Sequence, residues 1–226
     1  MFKFSRTYMT RKIIDLAGHK PWVYRLVRLM CWIFLPLWYR IRITGRENLP
    51  EAGPVVVVAK HQRFFDIPLT GMALGPVFPC YVAKHQLFLS KPLAWFITAL
   101  GGVPLHRERP EKHLSTFRRL RRLIRRNCLV VLYPEGTYVP GRVGPARVGM
   151  IDLMLKFQAK SGRVLQFMPL GIRYTKLAWR TAVNLSFGRP RQAPGPESSR
   201  ELTLALSRDL VELTGLPGPE PGEELC

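Results

Sequence analysis

His61 and Asp66 are the two side chains of this chain whose types and spacing best suit proton transfer. They lie in Lys60-His61-Gln62-Arg63-Phe64-Phe65-Asp66-Ile67-Pro68. On one continuous helix, residues five apart point in different directions, so only a turn can bring these two together. A carboxylate bonded to one ring nitrogen fixes the tautomer and stabilises the imidazolium, leaving the other nitrogen free to take a proton. The plainer alternative is a satisfied histidine beside a helix-capping aspartate, and this pair alone does not separate the two.

Two more polar exits follow downstream. Val103-Pro104-Leu105 leads into His106-Arg107, and an apolar run ending at Tyr133 leads into Pro134-Glu135-Gly136-Thr137. Glu135 stands out because the first 196 residues hold only eight acids. Three exits from one sheet can converge on one cleft, although a loop glutamate pairing with a nearby arginine remains a serious rival in so basic a chain.

The elements that must hold these groups are legible as strand–helix alternation. Pro54-Val55-Val56-Val57-Val58-Ala59 is the apolar, β-branched run of a fully buried strand. It should end at His61, with Asp66 starting or capping the next helix and Pro68 tolerated in its first turn. The carboxyl end of a buried strand is where α/β proteins usually carry their chemistry. Further strands are expected at 41–43, 77–84, 103–105, 128–133, 164–174 and 182–187. Helices are expected at 88–100, 114–126, 145–160 and 200–213. Leu114, Phe117, Leu120 and Ile124 give the second of these an apolar face, and Arg118, Arg119, Arg121, Arg122, Arg125 and Arg126 occupy its other faces. The expected fold is α/β, a mixed, mostly parallel sheet flanked by helices and preceded by an N-terminal amphipathic helical pair.

That pair comprises a short basic helix over 2–18 and a second over 21–40. The uncharged part of the second, 29–39, is well short of the ~20 residues a membrane span needs. Pro36 interrupts it, and its tryptophans and tyrosines favour the headgroup boundary, so it reads as a helix lying in the membrane interface. The expected organisation is interface helices over 1–40, an α/β domain over 41–214 and a loose acidic tail over 215–226.

The chain of 226 residues carries a formal charge of +20, and residues 197–226 contribute −5, so the first 196 carry +25. Such a balance expects a polyanion: nucleic acid, an anionic bilayer or an acidic protein. Nucleic acid is disfavoured, because no helix-turn-helix, RNA-recognition or zinc-finger signature is present. Cys31, Cys80, Cys128 and Cys226 show no metal-ligand spacing, and Cys80 and Cys128 read as small buried hydrophobes, which suggests a reducing compartment. No signal peptide and no metal are expected.

These blocks resemble the glycerolipid acyltransferase family, which includes the lysophosphatidic acid acyltransferases. The family's His-x4-Asp motif matches His61 to Asp66, and its Gly-rich strand ending in Arg matches Gly101-Gly102-Val103-Pro104-Leu105-His106-Arg107. Its Phe-Pro-Glu-Gly-Thr block matches Tyr133-Pro134-Glu135-Gly136-Thr137. A late Pro-containing strand matches Phe167-Met168-Pro169-Leu170-Gly171-Ile172. The resemblance implies that His61, oriented by Asp66, deprotonates a lysophospholipid hydroxyl that attacks an acyl thioester, carried by CoA or by an acidic acyl carrier protein, with no other cofactor. Arg107 is implied at the acceptor phosphate with Lys84 as a second cation, and Arg63, Glu135, Gly136 and Thr137 complete the expected substrate-binding set. No Gly-x-Ser-x-Gly elbow or cysteine beside His61 offers a covalent route. The implied setting is a peripheral protein on anionic lipid at the cytoplasmic face. Three positions depart from the family: Arg63 where Ser is common, His106 before Arg107 where Asp is usual, and Tyr138 where many members have Arg. The last opens an alternative acceptor without a phosphate, such as a lyso-aminolipid. A hydrolase using the same dyad, and an inactive membrane scaffold, are the remaining rivals.

Overall fold

The computed structural model describes residues 18–105, 114–220, 222, 223 and 225, with the side chains of 114–116 excepted. The expected helix over 2–18 and the His106-Arg107 exit lie outside the described residues. Seven strands form one sheet: β1 (Tyr39–Thr44), β2 (Val55–Ala59), β3 (Cys80–Lys84), β4 (Gly102–Leu105), β5 (Leu129–Leu132), β6 (Gln166–Lys176) and β7 (Thr181–Phe187). Their spatial order is β1-β7-β6-β2-β5-β3-β4. Every pair is parallel except β6 with β7, so β7 and β1 run against the other five. The fold is the mixed, mostly parallel α/β sheet that the strand–helix alternation predicts.

The Val run becomes β2, at the centre, paired with β5 on one side and β6 on the other. All five residues are buried, because each face of the strand is covered. Val56 and Val58 point into a core shared with α4 (Leu114–Arg125), α5 (Val148–Ser161) and α6 (Ser199–Thr214). Val55, Val57 and Ala59 point into a second core with α1 (Pro21–Trp38) and α2 (Asp66–Ala73). This is the two-sided cover that makes a central parallel strand read as continuous apolar sequence. Cys80 and Cys128 are buried free thiols, their sulfurs 2.9 Å apart between β3 and the start of β5.

Two elements differ from expectation for physical reasons. The apolar stretch 88–100 is divided into a 3₁₀ turn (His85–Phe88) and α3 (Lys91–Ala99), with Pro92 in the first turn of the helix, where proline is accommodated. The acidic tail meets the rest of the protein at several points: Pro217 O accepts from Val143 N at 2.8 Å, Glu220 lies 3.8 Å from Arg142, and Leu225 bridges Ala146. Helix α1 runs through Pro36 to Trp38, since a proline in the last turn disturbs little of the ladder before it. Its Val23, Tyr24 and Leu35 are buried against the sheet domain while most of its other apolar side chains face outward.

His19 fixes the start of α1 to the sheet. Its Nε2–H donates to Pro79 O at 2.9 Å, and its ring packs edge-on against Phe78 and Tyr24. Gly101 has φ +91°, and a Cβ there would fall 2.1 Å from His19 Nε2, so glycine is required for this contact. Burial, helped by the Arg119 charge and opposed by the Pro79 hydrogen bond, lowers the His19 pKa from 6.5 to about 4. The unfolded chain therefore binds a proton that the folded chain refuses between pH 6.5 and about 4. Stability is intact above that window and falls by about 3 kcal/mol as pH drops through it. His19→Gln keeps a donor for Pro79 O and removes the ionisation. Urea midpoints measured from pH 7 to pH 4 should then fall less steeply than in the wild type. Equal slopes would mean that another group carries the acid sensitivity.

Candidate active site

The site assembles where β2 and β5 end side by side, next to the stretch of β6 that runs on past them. β2 hands over to residues 60–65, and α2 begins at Asp66 itself. Asp66 does not cap its own helix. Its buried carboxylate turns back on the approach, where Oδ2 accepts from Gln62 N at 2.5 Å and from Arg63 N at 2.7 Å. The same oxygen lies 3.0 Å from His61 Nδ1, so Nδ1 carries the proton and donates it to Asp66. Nε2 is thereby the unprotonated nitrogen, and it makes no hydrogen bond among the described residues. The five-residue separation is closed by a turn, as the sequence requires, and the result is an imidazole held in one orientation, the geometry that general-base chemistry needs.

The imidazole is held on its faces as well. Tyr133 stacks on it with centroids 4.0 Å apart and planes 26° from parallel, and Tyr138 leans on it at 4.4 Å. Only 8% of His61 remains exposed. Burial raises the Tyr133 phenol well above its ordinary range, so it stays protonated beside Thr70 Oγ1 at 3.2 Å. The departure at Tyr138 thus places an aromatic ring, in place of a cation, directly beside the base.

Beneath the histidine lies a buried ion pair that the sequence analysis does not identify. Lys60 Nζ is 2.8 Å from Glu135 Oε1 and 3.0 Å from Oε2, and both residues are almost wholly buried. Glu135 also accepts from His61 N at 2.8 Å and Gly144 N at 2.6 Å. Lys60 donates onward to His61 O and Val139 O, at 3.0 and 2.7 Å. Burial pulls the Lys60 pKa down and pushes that of Glu135 up, and each is opposed mainly by the partner's charge. Both carboxylate oxygens are engaged inside the protein, so the substrate contact expected of Glu135 gives way to a role in holding the turn. The arginine pairing considered for it is replaced by Lys60, because β5 lies next to β2 in the sheet.

Gln62 adds a clip, donating to Ile172 O at 2.6 Å and accepting from Gly141 N at 3.0 Å. With Val139 N donating to His61 O at 2.9 Å, the loop over 134–147 is laced to the histidine turn. Gly136, at φ +72°, turns the chain at the head of this loop, and the exposed Thr137 follows it beside Tyr138. Arg63 is exposed at the rim, its guanidinium 4.7 Å from the Tyr174 ring centroid. Lys84 is exposed at the end of β3, two strands from β2 along the same edge of the sheet. Arg107 lies outside the described residues. Arg142, a further candidate cation, stands 3.8 Å from Glu220 in the tail.

Tyr174, on β6, is the other functional side chain missed in the sequence. Its hydroxyl donates to Asp66 Oδ1 at 2.6 Å. Burial and the Asp66 charge hold the phenol far above its ordinary pKa, so it acts as a donor. The signal in the sequence is its strand alternation with the core residue Ile172, but only the adjacency of β6 and β2 shows which carboxylate it meets. Tyr174→Phe removes one hydrogen bond to Asp66 and leaves the ring in place. It should lower kcat by roughly tenfold and move the acid limb of the pH–rate profile, with little change in Tm. An unmoved profile would leave Tyr174 with packing alone.

Fold and site together define an α/β protein whose sheet edge presents a histidine oriented by an aspartate. A family model described as Acyltransferase matches residues 40–172, which is more than half of the chain and takes in His61, Asp66 and Glu135 but stops short of Tyr174. The chain belongs to that acyltransferase family. It is 32% identical over 133 residues to a chloroplastic 1-acyl-sn-glycerol-3-phosphate acyltransferase of Brassica napus, covering 58% of this chain and 38% of the relative. It is 27% identical over 105 residues to a 1-acyl-sn-glycerol-3-phosphate acyltransferase of Bacillus subtilis, covering 46% of this chain and 52% of the relative. The matches thus span about two fifths to one half of these relatives' own length. The crystal structure of the 1-acyl-sn-glycerophosphate acyltransferase PlsC of Thermotoga maritima shares the fold, with a TM-score of 0.53 and 21% identity over 92% of this chain and 85% of that one.

Proposed function

We propose that this protein moves an acyl group from a thioester, on CoA or an acyl carrier protein, to the hydroxyl of a lysophospholipid such as lysophosphatidic acid. One observation carries the reading: His61 Nδ1 is locked on Asp66, which leaves Nε2 unpaired among the described residues. The acceptor hydroxyl gives its proton to Nε2 while its oxygen attacks the thioester carbonyl. The tetrahedral intermediate collapses by breaking the carbon–sulfur bond, and the imidazolium returns the proton to the leaving thiolate. An ester and a free thiol result. The names of the plant and bacterial relatives support the acceptor class. Arg63 and Lys84 are exposed cations for its phosphate, and Arg107 joins them through the motif it completes.

The Tyr138 contact favours a second reading of the acceptor. An aromatic ring against His61 in place of a cation suits a lysolipid without a phosphate, such as a lyso-aminolipid. One experiment separates these readings: incubation with a panel of lysolipids and acyl thioesters, followed by mass spectrometry of the lipids formed. Acylated lysophosphatidic acid supports the first reading and acylated aminolipid the second. Free fatty acid formed equally with and without any acceptor would overturn both in favour of hydrolysis.

The acceptor places the enzyme at a membrane surface, and its peripheral position on the cytoplasmic face belongs to this proposal. No described helix is long and apolar enough to cross a membrane. The outward side chains of α1, among them Trp22, Leu29, Trp32 and Ile33, supply apolar area for shallow insertion.

A further inference from the structure

Aromatic side chains that the core does not use gather at the end of the sheet that carries His61. β6 pairs with β2 only as far as Leu170 opposite Ala59, yet continues to Lys176. At about 3.3 Å per residue, these extra residues carry the β6–β7 hairpin roughly 20 Å past the end of β2. The hairpin closes where Leu177 N donates to Arg180 O at 2.8 Å. At its tip Trp179 is 78% exposed, and the Arg180 guanidinium lies 4.1 Å from its ring centroid.

Two other segments reach the same level. Tyr39 is in register with Thr181, so Leu37 and Trp38 at the end of α1 emerge beside the hairpin. Phe64 and Phe65, in the histidine turn, are also exposed, and the Phe65 ring lies 5.7 Å from that of Tyr39. Tyr39 in turn lies 6.0 Å from Tyr174, the residue bonded to Asp66. The exposed charges carried by these segments are basic, and the neighbouring exposed acid, Glu220 of the tail, stands 3.8 Å from Arg142. Arg40, Arg63 and Lys176 are exposed, whereas Asp66 and Glu135, the carboxylates these segments and the 134–147 loop carry, are buried.

We propose that the β6–β7 hairpin inserts Trp179 into an anionic phospholipid surface and, with Leu37–Trp38 and Phe64–Phe65, turns the His61 site to face it. An indole with a cation on its face suits the headgroup boundary, where the ring is shielded and the charge meets lipid phosphate. Such exposure contributes nothing to folding. A rim whose own segments expose bases and no acids fits an anionic bilayer better than the mixed charges of a protein surface. The use made of this orientation rests on the lipid acceptor proposed above, but the binding itself does not.

The test uses the full chain and vesicles of phosphatidylcholine and phosphatidylglycerol mixed three to one, with no lysolipid or thioester present. Trp179→Ala should weaken cosedimentation roughly tenfold at unchanged Tm, and Trp179→Phe should retain most of the binding. Arg163→Ala, before β6 at the opposite end of the sheet, should bind as the wild type does. Lipids brominated near the headgroup should quench a share of wild-type tryptophan emission that is missing in Trp179→Phe. Unchanged cosedimentation of Trp179→Ala, or equal quenching of wild type and Trp179→Phe, overturns the proposal, as does specific capture by an acidic protein with no vesicle binding. Absence of acyl transfer alongside Trp179-dependent binding would overturn the acyltransferase reading and leave the anchor supported.

Discussion

His61→Ala should lower acyl transfer by on the order of 10⁴-fold while leaving the protein folded. The side chain lies at the surface end of β2, with Nε2 unpaired among the described residues, so its removal opens little of the core. The Tyr133 ring that stacks on it keeps its own contact with Thr70. Asp66→Asn should be milder for a reason the hydrogen bonds make plain. Oδ2 accepts from two backbone N–H groups besides Nδ1–H, so the asparagine must place its carbonyl oxygen there. Its amide then faces Tyr174, whose hydroxyl can rotate to accept, and the histidine keeps the productive tautomer. What is lost is the negative charge behind the imidazolium, and the expected cost is roughly 10²- to 10³-fold in kcat. Purified variants, checked for folding by circular dichroism, should be compared in a continuous thiol-release assay with saturating acceptor. Full activity in folded His61→Ala would end the general-base mechanism. A loss in Asp66→Asn as large as in His61→Ala would mean that the tautomer, not the charge, was what Asp66 secured.

The largest stability effects should come from Lys60 and Glu135. Removing one member of a buried ion pair leaves an uncompensated charge, at a cost of about 3–5 kcal/mol. The two ends are not equivalent. Lys60→Met leaves a carboxylate that still accepts from His61 N and Gly144 N, and should fall near the lower figure. Glu135→Ala leaves the ammonium with the His61 and Val139 carbonyls alone and strands both amides, and should fall near the upper one. The double variant should cost clearly less than the two singles combined, since each single already breaks the shared contact. In thermal melts these losses correspond to a drop of roughly 10 °C or more for a chain of this size. Chemical denaturation of the four proteins measures all three quantities. A single variant within about 1 kcal/mol of wild type would show that the pair is dispensable to the fold.

Most of the sheet was legible because a central parallel strand has an unmistakable composition: Val55–Ala59 and Leu129–Leu132 could hardly be anything else. The base pair was legible for the same reason, since His61 and Asp66 bracket the turn at which the Val run ends. What could not be read were contacts between segments distant in sequence. Lys60 looks like an ordinary strand-end charge until β5 is seen beside β2, which brings Glu135 onto it from 75 residues away. Tyr174 reaches Asp66 across 108 residues by the same kind of adjacency. The tail misled because its Pro, Gly and Glu content implies solvation, whereas it is tied to the protein partly through a backbone carbonyl, which composition does not register.

Beyond Glu135, the loop over 136–147 is gripped almost entirely by its main chain: Val139 N and O, Gly141 N, Gly144 N and Arg147 N all serve as attachment points. Main-chain atoms are common to every residue type, so most side chains here can change without loosening the grip. Length cannot. One added residue between Gly136 and Val143 would shift the later attachment points out of phase with His61, Gln62 and Glu135. The segment should therefore drift freely in spelling under mutation while resisting insertion and deletion. The glycines are the exceptions: Gly136 and Gly141 hold φ of +72° and +76°, and a side chain at Gly144 would meet Val139 at 2.8 Å.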